Sequence, residues 1–75
     1  DNRTNIRFRL PFEEEVSITV YNAAGMKVAQ LADGKSYPSG NHTLDFYGDD
    51  LPAGIYFIHF NAGLVNMTRT VVRIK

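Results

Sequence analysis

The sequence predicts an all-β fold, an antiparallel β-sandwich of six or seven short strands. Two observations carry this. Apolar residues alternate with polar ones in segment after segment, as at Ile6, Phe8 and Leu10 or Val16, Ile18 and Val20, the period of strands that bury one face. Turn-forming Gly, Pro, Asn and Asp punctuate the chain at close spacing, and no extended segment shows helical periodicity free of Gly and Pro.

The elements follow in order. In the first strand Ile6, Phe8 and Leu10 share the buried face and Asn5, Arg7 and Arg9 the other; Pro11, with no N–H for a ladder, ends it. Glu13, Glu14 and Glu15 form a charged turn, expected to be the solvated tip of a hairpin rather than a cation site. Val16, Ile18 and Val20 give the second strand. Asn22-Ala23-Ala24-Gly25 is a tight turn that folds it back on the third. There Met26 and Val28 share a face but Leu31 is out of phase, so a bulge or an early strand end is expected near Ala29, followed by a loop at Asp33-Gly34-Lys35-Ser36.

Two later segments echo each other: Pro38 matches Pro52, Gly40 matches Gly54, His42 falls where Tyr56 falls, and Leu44 and Phe46 answer Ile58 and Phe60. The echo predicts two strands launched by the same turn chemistry, with His42, Leu44 and Phe46 inward alongside Tyr56, Ile58 and Phe60. Ile55, Phe57 and His59 lie on the opposite face, so the strand after Gly54 carries apolar bulk on both sides and belongs in the middle of a sheet. Gly48-Asp49-Asp50 makes the intervening turn, and Asn61-Ala62-Gly63 is expected to close the last hairpin. The final strand runs from Val65 to Lys75, with Val72 and Ile74 on one face and Val71 on the other, outward. Strands of this number and spacing suit a sandwich of the immunoglobulin-like type.

Composition excludes several classes of function. The chain has 75 residues, enough for one domain or a fragment of a larger protein and too few to enclose a sizeable pocket. Eight basic and eight acidic residues cancel, so no basic face points to nucleic acid. The absence of cysteine leaves the redox compartment open, and no apolar run reaches the length of a membrane span. His42 and His59 fall on strands of opposite phase and do not share an ion. There is no cysteine nucleophile and no Gly-rich phosphate loop. Asp45, Asp49 and Asp50 lack the spacing of a calcium loop and suit a polar turn. The Asn-x-Thr triplets at Asn2, Asn41 and Asn66 matter only in a eukaryotic secretory host, which is not the expected setting. No catalytic residue, metal or cofactor is expected.

The ordered set Asn5-Ile6-Arg7-Phe8-Arg9-Leu10-Pro11, Val16-Ser17-Ile18-Thr19-Val20-Tyr21-Asn22, Gly25-Met26-Lys27-Val28, Gly40-Asn41-His42-Thr43-Leu44, Leu51-Pro52-Ala53-Gly54-Ile55-Tyr56 and Val71-Val72-Arg73-Ile74-Lys75 resembles the type A C-terminal sorting domain of type IX secretion cargo proteins. The resemblance runs over nearly the whole chain. Pro52, Gly54 and Tyr56 match the family's internal motif, and Val71, Val72, Arg73, Ile74 and Lys75 its terminal one; Phe46 stands where the family often has tryptophan. The resemblance implies an immunoglobulin-like sandwich, residues 1–75 forming a single sorting domain at the C-terminus of a larger secreted protein. It further implies a Gram-negative bacterium whose secretion translocon carries the cargo from the periplasm to the cell surface or medium, and a sortase-like peptidase that removes the domain.

On the residues alone, Ile55 and Phe57, with Val71, form an outward apolar surface of the kind that meets a partner, and the C-terminal strand offers an edge for strand addition. The alternatives are an accessory module of an extracellular hydrolase, contacting carbohydrate through Tyr21, Tyr37 or Tyr47, and a hook-capping-type assembly domain, whose immunoglobulin-like fold carries a similar pattern.

Overall fold

The structure, a computed structural model, describes residues 3–47 and 51–73. The strands are β1 (Arg3–Leu10), β2 (Glu14–Asn22), β3 (Lys27–Tyr37), β4 (Gly40–Tyr47), β5 (Gly54–Ala62) and β6 (Val65–Arg73). β1 and β4 pair as a two-stranded sheet, and the others form a four-stranded sheet in the order β3-β2-β5-β6, with every pairing antiparallel. The fold is all-β, a small six-stranded sandwich, and β5 occupies the interior position that its two apolar faces require.

Proline marks the places where the chain changes sheets. Pro11 lies between β1 and β2, Pro38 between β3 and β4, and Pro52 between β4 and β5, and at each the chain passes from one sheet to the other. A residue with no N–H cannot extend a ladder, so the strand stops there and the next starts elsewhere. The connections that stay within a sheet are proline-free hairpins. In the β2–β3 turn the Gly25 N–H donates to the Asn22 carbonyl at 3.0 Å, and the Asn22 Oδ1 accepts from the N–H groups of Ala24 and Met26 at 3.0 and 2.9 Å.

This topology corrects three expectations. Glu13 to Glu15 are not a hairpin tip, because β1 and β2 lie in different sheets; Glu14 and Glu15 already belong to β2, opposite Tyr37 and Ser36 of β3. Asp33 to Ser36 are not a loop but part of β3. The expected bulge near Ala29 is present: Tyr21 pairs with Lys27 and Val20 with Ala29, leaving Val28 as the extra residue, and Leu31 is passed over in the same way. The strand survives because side chains replace ladder bonds: Gln30 Nε2 donates to the carbonyls of Ile18 and Ala32, and Ser17 Oγ accepts from the Gly34 N–H at 2.9 Å. Finally, Asn61 and Ala62 stay in β5, since Ala62 pairs with Val65 and is buried, so the last turn is Gly63 and Leu64. The expected turn at Gly48 to Asp50 lies outside the described residues.

The core sits on β2. Val16, Ile18 and Val20 are fully buried, flanked by Tyr56, Ile58 and Ala62 of β5 and faced by Ile6 and Leu10 of β1. Leu44 and Phe46 pack on this cluster from β4, and His42 stacks on Phe8 with ring centroids 5.3 Å apart, which agrees with the inward phase read from the echo.

Candidate recognition surface

The motif at Pro52 to Tyr56 is built as an internal clasp. Tyr56 is only 5% exposed, and its hydroxyl donates to the Pro52 carbonyl at 2.6 Å. Gly54 between them has φ +156°, a conformation that L side chains rarely adopt, yet a Cβ there would meet nothing within 4 Å. The glycine is therefore required by the backbone and not by a close neighbour. The earlier echo has the same construction: Gly40 has φ +120°, and His42 Nε2 donates to the Pro38 carbonyl at 2.7 Å. In both units a ring four residues after proline ties down the proline carbonyl, and the strand leaves at a fixed angle. Tyr56→Phe removes the hydroxyl and nothing else; it is expected to lower the unfolding free energy by about 1 kcal/mol, the net value of one hydrogen bond, with urea unfolding as the measurement.

What the clasp positions is the outer face of β5 and β6. Ile55 pairs with Val72 and Phe57 with Thr70, so Ile55, Phe57 and Val72 project to the side opposite Tyr56 and Ile58. Ile55 is 47% exposed and Val72 62%, while Phe57 is half-buried in a row with Tyr21 of β2. Val71 does not belong to this face. It pairs with Tyr56 and packs against the core, which overturns the outward orientation expected for it; Val72 takes that place. Arg73 pairs with Gly54 at the end of β6, and Ile74 and Lys75 lie outside the described residues. β6 is an edge strand of the larger sheet, paired with β5 without interruption over its nine residues.

The other candidates scatter. Tyr37 is packed edge-on against Phe8 at 5.3 Å, Tyr21 lies on the outer face of the larger sheet, and exposed Tyr47 ends β4, so the three tyrosines share no platform. His59 lies on the outer face with Nδ1 3.4 Å from Thr68 Oγ1, on the other side of its sheet from the interior that His42 faces. Among the described residues no group of three His, Cys, Asp or Glu side chains is placed to hold a metal ion.

The family model described as the secretion system C-terminal sorting domain matches residues 1–75. The chain belongs to that family. As a sorting domain it is a signal for type IX secretion, it interacts with that machinery, and it marks proteins exported to the cell surface or medium. Comparison with curated proteins gives no match, and comparison with solved structures gives none. No helix among the described residues of the sorting domain is long and apolar enough to cross a membrane.

Proposed function

We infer that residues 1–75 are a single, non-catalytic recognition domain of a larger secreted protein, and that the exposed face carrying Ile55 and Val72, together with the terminal motif Val71 to Lys75, is what the secretion translocon reads. A sortase-like peptidase then separates the domain from the upstream cargo. The observation that supports this is the division of labour within β5: Tyr56 and Ile58 are consumed by the core, while Ile55, on the opposite face, stays half exposed beside Val72. An apolar pair on a solvated sheet face gains free energy only when a partner covers it. Pro52 and Gly54 act by setting where the strand enters the sheet. The test is a fusion of the chain to the C-terminus of a periplasmic reporter in a Gram-negative bacterium with type IX secretion. Reporter at the cell surface or in the medium, without the 75-residue tail, is the expected result; reporter held in the periplasm overturns the reading.

A further inference from the structure

The two sheets are unequal, and the smaller leaves part of the larger uncovered. The β5–β6 register places Val65, Met67, Arg69 and Val71 on the side that carries Ala62, Phe60, Ile58 and Tyr56, which is the inner side of the sandwich. Val71 packs on the core, but Val65 is 52% exposed and Met67 63%. Inner-face side chains stay this exposed only where the opposing layer stops short. It stops at β1, which pairs with β4 along one edge and with no strand along the other among the described residues. Between β1 and β6 runs a groove of about 350 Å³ with Ile58, Phe60, Val65 and Met67 in its lining.

The backbone of β1 faces this groove. Arg69 Nη1 donates to the Asn5 carbonyl at 3.5 Å, so that carbonyl points away from β4 and toward β6. Alternate residues of an antiparallel strand present their N–H and C=O to the same edge, and Arg7 and Arg9 therefore direct theirs into the groove as well. A side-chain donor at the limit of hydrogen-bond length is a weak substitute for a strand. The groove is also basic: Arg7, Arg9 and Arg69 line it with no carboxylate among the lining residues described. Asp45, opposite Asn5 on β4, is engaged by Asn5 Nδ2 at 2.9 Å.

These features define the occupant. Backbone donors and acceptors at Arg7 and Arg9 that lie outside the β1–β4 ladder, beside an Asn5 carbonyl held only by the Arg69 side chain, select an extended polypeptide over a lipid or a sugar. The apolar lining asks for apolar residues at alternate positions of that polypeptide, and three guanidinium groups ask for carboxylates on it. The edge of β3 offers no equivalent, because three register shifts interrupt it. We propose that the groove between β1 and β6 is a docking site for an extended acidic segment of a partner protein, which adds to β1 as a third strand of the smaller sheet and covers Val65 and Met67. This site is on the opposite side of the larger sheet from Ile55 and Val72 and stands independently of their role.

The test uses a synthetic peptide of about eight residues, the length of β1, alternating valine with glutamate, titrated into the 15N-labelled chain. The amides of Arg7 and Arg9 should become slow to exchange, the Met67 methyl resonance should shift, and affinity should fall as salt rises. Arg9→Glu and Met67→Asp, both at exposed positions, should each weaken binding about tenfold or more, and a matched valine–lysine peptide should bind about tenfold more weakly still than the acidic one binds the unaltered chain. The proposal fails if the peptide leaves the Arg7 and Arg9 amides unchanged, protects the outer edge of β6 instead, or is matched by the lysine peptide. It fails too if those amides become protected with rising chain concentration and no peptide, which would make the occupant a second copy.

Discussion

Ile18→Ala is expected to remove about 3 kcal/mol of unfolding free energy, within the roughly 2 to 5 kcal/mol that truncating a fully buried isoleucine costs. Ile18 is 0% exposed, sits on an interior strand between β3 and β5, and has the second sheet above it, so no neighbour has slack to fill the space. A chain of 75 residues has about 4 to 11 kcal/mol in total at the usual stability per residue. The one substitution therefore consumes between a quarter and three quarters of what holds the domain together. Urea unfolding checks it: the midpoint should fall with an unchanged slope, and a loss under about 1 kcal/mol would show that the core is looser than its burial indicates. Because a destabilised domain is also a poor sorting signal, Ile18→Ala is the control that separates loss of fold from loss of recognition.

What the sequence made legible was phase, and what it withheld was partnership. Alternation at Val16, Ile18 and Val20 and at Tyr56, Ile58 and Phe60 states which side is buried, and burial follows it. It does not state which strand lies alongside. β1 and β2 are adjacent in sequence and lie in different sheets, so the hairpin that the charged run Glu13 to Glu15 suggests does not exist, and two of those glutamates belong to β2. The prolines carried the missing information, since each stands at a change of sheet while both hairpins lack one. In β6 even phase was ambiguous, because Val71 and Val72 are neighbours and the rest of the strand offers little contrast. Placing the turn at Asn61 to Gly63 and not at Gly63 and Leu64 loses the count that decides it; a slip of one residue exchanges the two faces of the strand. Counting outward from a two-residue turn pairs Ala62 with Val65 and puts Val71 opposite Tyr56. The groove beside β1 was illegible for a different reason, since it depends on two sheets having unequal numbers of strands and on no local pattern.

Ile55→Lys combined with Val72→Lys is expected to abolish export of a fused reporter while leaving the sorting domain folded. The two side chains pair across β5 and β6 and retain 47% and 62% of their accessible surface, so roughly half of each is still available to a partner. Fully burying such a side chain is worth about 1.5 to 3 kcal/mol, which leaves about 1 kcal/mol for each and about 2 kcal/mol for the pair. That corresponds to roughly a 30-fold loss of affinity before any cost of desolvating two ammonium groups is added. In the free domain the same lysines stand in water on a strand pair that buries its other face, and their long stems cover the sheet much as the native residues do. Thermal unfolding should therefore move by no more than the few degrees typical of surface changes, while the reporter accumulates in the periplasm. Val71→Lys should do the reverse, unfolding the domain because its side chain packs with the core. Normal export by the double-lysine chain, with Val71→Lys still defective, would show that β6 contributes only to the fold and would move the recognition surface elsewhere on the molecule.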